Sequence, residues 1–261
     1  MNRRILIRSS AAAALVACAA FHALSGEPAP AGSVNVLCFG DSITFGYAAS
    51  DERPASYPAL LQKMLDSKHG PGAFDVTNAG VSGEDTRQGL ARIDATLKEH
   101  APQWVLMLYG TNDLWTARKL APSDTEANLK KMIAHVKASG ATPILSTIIP
   151  VWDDDARVAA RNASIRKAAA SEGVRLVDLN AAFEKALAAA GGRAEKAAWG
   201  KYYRPEDDGF LHPNDEGDSL MAKVWFEALE AAMTPESKTR KSETPGAKPP
   251  GVKPPGVKPP G

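Results

Sequence analysis

The sequence predicts a three-layer α/β protein built on one parallel, five-stranded sheet with helices on both faces. Three observations lead there. Five short runs rich in apolar and β-branched residues recur along the chain, mostly apolar throughout, as strands buried on both faces are. A segment of helical period follows each run. Strand, helix and strand in alternation require crossover connections, and right-handed crossovers lay helices over both faces of the sheet.

In chain order the first strand is "VNVLCF" at 34–39, and the first helix covers Tyr57–Ser67. "FDVTNA" at 74–79 leads to a helix at Thr86–His100, and "WVLMLYG" at 104–110 to one at Ser123–Ser139. "TPILSTIIP" at 142–150 precedes Ala156–Glu172, and "VRLVDL" at 174–179 precedes Asn180–Ala190. Each helix carries a capping residue at its start or a glycine at its end. A last helix over Asn214–Met233 puts Leu220, Met221, Val224, Trp225, Ala228 and Leu229 on one stripe.

Both ends stand apart from this pattern. Arg3, Arg4 and Arg8 precede an alanine-rich apolar stretch with a Pro/Gly/Ser exit, so 1–25 reads as an export signal and 26–33 as a linker. Two processing routes compete: cleavage near Ser25, with Ala23 at the matching small position, or lipidation at Cys18, where "LVAC" resembles a lipoprotein lipobox. An uncleaved N-terminal anchor is the third reading. The folded domain is expected over 34–233. From Thr234 the chain repeats Lys-Pro-Pro-Gly with a valine spacer, which favours polyproline II and cannot bury a core. It reads as a solvated tail, and Lys238, Arg240, Lys241, Lys248, Lys253 and Lys258 would suit an anionic envelope surface. The other cysteine, Cys38, is expected to pack in the first strand as a small hydrophobe.

With 261 residues, 44% hydrophobic and 23% charged, the chain can bury one substantial core. Its formal net charge of +1 gives no argument for a nucleic-acid partner. The chain has no G-x-x-x-x-G-K-[ST] loop, H-E-x-x-H helix or paired C-x-x-C, so neither a metal nor another cofactor is expected.

In open α/β sheets the ligand site lies beyond the carboxyl ends of the strands. Polar clusters occupy those positions: Gly40-Asp41-Ser42 after the first run, Asn78 to Glu84 after the second, Gly110-Thr111-Asn112-Asp113 after the third. Beyond the fifth run comes "EDDGFLHPNDEG", Glu206 to Gly217. Asp41 and Asp113 read as local structure, bonding nearby backbone at turns.

The blocks "FGDSITFGY", "NAGVSGEDT", "YGTNDLW" and "DDGFLHPND" resemble, in order, those of the SGNH or GDSL-type hydrolases, across roughly Val34 to Met233. The resemblance implies a flavodoxin-like sheet and a serine ester hydrolase. It implies Ser42 as nucleophile, His212 as base, and an oxyanion hole formed by the Ser42 and Gly83 backbone N–H groups with the Asn112 amide. These residue types suit that chemistry. Serine is a weak nucleophile until an imidazole takes its proton, and of the five histidines only His212 falls in a strand-end cluster. Glycine at 83 would leave a donor N–H unobstructed, and an asparagine amide is a neutral donor to developing charge. Gly40 would keep the approach to Ser42 clear. The α/β-hydrolase elbow G-x-S-x-G is absent, since Thr44 lies two residues past Ser42.

One departure from the family pattern stands out. Its acid precedes the histidine by three residues, but Gly209 occupies that position here, with Asp208 four before and Asp207 five before. Asp208, with Gly209 absorbing an inserted residue, is the preferred triad acid. Asp207 and a Ser–His dyad are the alternatives. Expected substrates are carboxylic esters of small molecules or saccharides: acetylated saccharide, aryl or lipid esters, met in the periplasm or outside the cell. Tyr47, Trp115, Trp152, Trp199, Tyr202 and Tyr203 lie in or near segments that could frame a cleft, each with core or loop packing as the rival role. The altered acid spacing leaves one non-enzymatic alternative, a catalytically impaired carbohydrate-binding module held at the envelope by a lipid anchor or the cationic tail.

Overall fold

Period-two burial on the first strand shows how the sheet is covered. In the computed structural model Val36 and Cys38 face one apolar core while Leu37 and Phe39 face another, and all four are buried. The structure describes residues 32–47, 49–51, 53–205 and 209–234. The export signal with Cys18, the tail from 235 onward, and Glu206, Asp207 and Asp208 lie outside the described residues.

Among the described residues the strands are β1 Val34–Gly40, β2 Phe74–Gly80, β3 Trp104–Leu108, β4 Thr142–Ser146 and β5 Arg175–Val177. They pair in parallel in the order β2-β1-β3-β4-β5, with Gly40 beside Gly80 on one side and Leu108 on the other. This order reverses at β1, so the switch-point crevice opens beyond the carboxyl ends of β1 and β3.

The helices are α1 Ser42–Phe45, α2 Tyr57–His69, α3 Thr86–His100, α4 Pro122–Ala138, α5 Asp155–Glu172, α6 Leu179–Ala189, α7 Lys196–Gly200 and α8 Asp215–Met233. Leu61 and Leu65 of α2, Phe183 and Leu187 of α6, and Met221, Trp225 and Leu229 of α8 cover the Val36 face. Ile93 and Leu97 of α3, Leu129, Met132, Ile133 and Val136 of α4, and Ile165 of α5 cover the Leu37 face. Their starts follow from side-chain chemistry. Asp85 and Gln88 form a capping box on α3, Asp178 caps α6, and Asn214 caps α8. Ser56 makes no such cap on α2; Asp218 of α8 reaches across to accept from the Tyr57 N–H at 2.8 Å.

Three departures from the sequence expectations bear on how the site is built. The run 142–150 is strand only to Ser146, and Thr147–Pro150 continue as buried irregular chain. There Asn162 of α5 takes the place of a strand neighbour, accepting from Ile148 N at 2.9 Å and donating to Ile148 O at 3.1 Å. Second, the short helices α1 and α7 and two 3-10 turns, Asn112–Leu114 and Thr116–Arg118, lie between the expected strands and helices. Third, the bonds of Asp113 are not those of a turn. Its buried carboxylate accepts from Thr86 N and Oγ1 at 2.9 and 2.7 Å and from Thr125 Oγ1, with the Arg161 guanidinium 3.9 Å away. It therefore ties the end of β3 to α3, α4 and α5, a role that needs partners brought in by tertiary structure.

Candidate active site

Strand β1 ends at a one-turn helix that begins on Ser42. Asp41 caps it by accepting from Ile43 N at 3.0 Å, and Gly46 closes it in the left-handed conformation, its N–H bonding Ser42 O at 3.1 Å. The turn lies so close to the strand ends that a Cβ on Gly40 would meet Thr44 Oγ1 at 2.0 Å and Leu108 O at 2.7 Å. One on Gly80 would meet Phe45 N at 2.2 Å. Gly40 is therefore required to seat this turn on the sheet, a reason for glycine that the sequence reading did not give.

His212 arrives from the far end of the chain on the turn before α8. Arg204 N donates to its carbonyl at 3.0 Å, Pro213 bridges to Tyr203, and Asn214 N donates to Tyr202 O at 3.1 Å. The Asn214 amide then gathers the carbonyls of Gly200, Lys201 and Tyr203 at 3.2–3.3 Å. Glycine is needed at 217, where a Cβ would stand 2.2 Å from Tyr202 O. So held, His212 Nε2 lies 2.8 Å from Ser42 Oγ across 170 residues of chain, with both side chains largely buried. In the tautomer protonated at Nδ1, Nε2 accepts the serine hydroxyl. Gly209 and Phe210 precede the histidine with φ of +64° and +61°. Left-handed backbone on a phenylalanine is uncommon, and packing against Trp152, centroids 5.5 Å apart, holds it in place.

Two more loops follow the neighbouring strands β2 and β3. Gly83 has φ of +79° and open space where a side chain would be, and Arg118 Nη2 fixes its carbonyl at 2.8 Å. Asn112 begins a 3-10 turn, yet its side chain makes no cap; Nδ2 donates to Glu84 O at 2.9 Å, and no described residue engages the second amide hydrogen. Ser42, Gly83 and Asn112 thus follow β1, β2 and β3, which are neighbours in the sheet. The buried Asp41 carboxyl is pushed up to about 7 by burial, against the pull of the Ile43 N–H and the charge of His212. Its Oδ2 has no hydrogen-bond partner among the described residues.

The aromatic residues divide. Trp199 and Tyr203 are fully buried, Trp152 packs on Trp199 at 5.3 Å, and Tyr202 lies against Phe183. Tyr47 and Trp115 are exposed, and the Tyr47 ring lies 4.9 Å from the His212 imidazole. The supporting residues Glu84, Arg92, Tyr109 and Arg118 were not singled out by sequence reading, because their partners come from segments distant in sequence.

The GDSL-like Lipase/Acylhydrolase family model matches residues 38–220. A thioesterase 1/protease 1/lysophospholipase L1 of Escherichia coli K12 is 42% identical over 113 residues, 43% of this chain and 50% of that protein. An arylesterase of Vibrio mimicus is 39% identical over 118 residues, 44% of this chain and 55% of that protein. The chain thus spans about half the length of the curated relatives it matches. An acetylxylan esterase structure from Geobacillus stearothermophilus superposes with a TM-score of 0.63, covering 76% of this chain and 95% of that one at 21% identity, a likeness of fold. With the match running from β1 into α8 and the Ser42–His212 pair bridging its two ends, the chain belongs to the GDSL-like lipase/acylhydrolase family.

Proposed function

We propose that the protein is an exported serine esterase that hydrolyses carboxylic esters through an acyl-enzyme on Ser42. The observation that carries this reading is the 2.8 Å contact between Ser42 Oγ and His212 Nε2. In the reaction Oγ attacks the ester carbon as its proton passes to Nε2. The carbonyl π pair moves onto oxygen, where the Ser42 and Gly83 N–H groups and the free Asn112 amide hydrogen stabilise it. Collapse re-forms the carbonyl and breaks the bond to the alkoxide, which leaves with the imidazolium proton. Water, deprotonated by the same histidine, repeats the sequence on the acyl-enzyme and releases the acid. Asp208 is assigned to hold the imidazolium, with the left-handed Gly209 and Phe210 absorbing the inserted residue.

The substrate is an ester with an apolar acyl or aryl group. Tyr47, Val81 and Trp115 are the exposed large hydrophobic residues of the described chain; Tyr47 follows the short helix of Ser42, Val81 precedes Gly83 by two residues and Trp115 follows the turn that Asn112 begins. That distribution supports an apolar rim around the crevice, better suited to fatty or aryl groups than to an acetylated saccharide. The names of the Escherichia coli and Vibrio mimicus relatives agree in class. Export rests on Arg3, Arg4 and Arg8 ahead of the apolar leader, and among the described residues no helix is long and apolar enough to cross a membrane. N-terminal sequencing of the mature protein separates cleavage near Ser25 from lipidation at Cys18.

The activity is tested with p-nitrophenyl esters of two to twelve carbons on wild type and Ser42→Ala. The reading expects a higher kcat/KM for medium or long chains than for acetate, and background rates for Ser42→Ala. Undiminished activity in Ser42→Ala would overturn the mechanism. An inactive wild type that binds oligosaccharides would favour the carbohydrate-binding alternative.

A further inference from the structure

Behind the crevice lies a polar cluster that the proposed chemistry does not use. Glu84 follows Gly83, and its carboxylate accepts from Arg92 Nε and Tyr109 Oη, each at 2.7 Å. Arg92 Nη2 shares its two hydrogens among Ala79 O at 2.8 Å, Gly40 O at 3.1 Å and Tyr109 Oη at 2.7 Å. The guanidinium also lies over the Phe39 ring, 4.2 Å from its centroid. One side chain thus joins the carboxyl ends of β1 and β2, the loop after Gly83 and the end of β3. Each leads within a few residues to a proposed oxyanion donor: Gly40 to Ser42, Glu84 back to Gly83, and Tyr109 on to Asn112.

The connection to Asn112 is direct. The Glu84 carbonyl takes one hydrogen of its amide at 2.9 Å, and that bond determines where the other hydrogen points. A rotation of the Glu84 peptide would turn the amide away from the crevice. Burial holds the Tyr109 hydroxyl far above its usual range, so it stays protonated and donates to Glu84. Nothing in this arrangement touches a substrate. Its members are side chains of unlike type from α3, the residue just after β3 and the β2–α3 loop, converging on main-chain groups of the site.

We infer that Glu84, clamped by Arg92 and Tyr109, is the positioning residue of the oxyanion hole, aiming the Asn112 amide through its own carbonyl. The inference rests on the esterase reading above. It requires the cluster to act on transition-state stabilisation and through Asn112, whereas a merely structural cluster would act on folding alone.

A double-mutant cycle on ester hydrolysis separates the two, with Ser42→Ala as control. Tyr109→Phe keeps the ring and removes one oxygen. The inference expects kcat to fall about tenfold with KM within twofold, because the loss is confined to a donor engaged in the transition state. In an Asn112→Ala background the same change should cost less than twofold, since the group being aimed is gone. Equal losses in the two backgrounds, or no loss in wild type, overturn the inference while leaving the esterase reading intact. Full activity in Ser42→Ala overturns both. Should Tyr109→Phe fail to fold, Glu84→Gln carries the same cycle, keeping size and an acceptor for Tyr109 while removing the charge that holds Arg92.

Discussion

Gly89 lies at the fourth residue of α3, where exchange for alanine would ordinarily stabilise a helix by about 0.5–1 kcal/mol. Here a Cβ would stand 2.6 Å from Cζ, 2.8 Å from Cε1 and 3.0 Å from the hydroxyl of Tyr109. Carbon atoms prefer separations of about 3.5–4.0 Å, so ring or helix must give way by about 1 Å. Tyr109 has no free end to swing aside: it is fully buried, its ring packs 5.2 Å from Phe39, and its hydroxyl is bonded to Glu84 and Arg92. Overpacking of this kind costs about 1–3 kcal/mol. Set against the helix gain, the net destabilisation of Gly89→Ala is about 0–2.5 kcal/mol, centred near 1.3. In a domain of this size that corresponds to a Tm lowered by about 3–5 °C, read by circular dichroism. Because the displaced oxygen is the one bonded to Glu84, kcat on p-nitrophenyl esters should also fall, by about tenfold. A Tm raised by 2 °C or more with kcat unchanged would refute the packing argument and weaken the positioning role of Tyr109 with it.

Other consequences follow from single sites. Asn112→Ala should lower kcat about 10²–10³-fold with KM little changed, the usual loss for one oxyanion donor, and steady-state kinetics would show otherwise if KM carried the effect. Asp218 is buried and its carboxyl is pushed up to about 8, mainly by burial, against the pull of the Tyr57 N–H. The fold thus favours its protonated form, and the stability it contributes is complete below about pH 4 and declines as pH rises toward 8, by at most about 1.4 kcal/mol per pH unit. Asp218→Asn keeps an acceptor for Tyr57 N and cannot ionise, so its Tm relative to wild type should climb between pH 5 and 8; a constant offset would contradict this. Cys38 is fully buried and its thiol is pushed well above the ordinary range by burial, so peptide mapping should find it unlabelled by iodoacetamide in the native protein and labelled in denaturant.

Much of the fold and the principal pair was legible because the signals were local or tied to the pattern of strand ends. "VNVLCF" is apolar on both faces, and both faces of β1 are buried. The strand-end rule put Ser42 and Asn112 beyond adjacent strands before any contact was known. Where periodicity alone was available, boundaries slipped: Thr147–Pro150 are as apolar as a strand, but after Thr147 N bonds Val177 O the Asn162 side chain takes over the pairing at Ile148. Asp113 was misread for a related reason. An aspartate after a strand suggests a turn, but its partners Thr86 and Arg161 lie 27 and 48 residues away. The Glu84–Arg92–Tyr109 cluster left no local trace, since an arginine on a helix and a glutamate in a loop are ordinary surface residues until the fold joins them. Gly80 and Gly217 were similarly silent, and the packing reason for Gly40 was missed, because only the close approach of Phe45, Tyr202 and Thr44 explains why a side chain is excluded there.

The central claim is that Ser42 is a nucleophile activated by His212, and covalent trapping tests it most directly. Wild type, Ser42→Ala and His212→Ala would be incubated with an alkyl fluorophosphonate and examined by intact mass and peptide mapping. The account predicts one phosphonyl adduct per chain on the peptide containing Ser42, none in Ser42→Ala, and labelling slowed by orders of magnitude in His212→Ala. Stoichiometric labelling of a different residue, or ester hydrolysis that continues undiminished in Ser42→Ala, would contradict it.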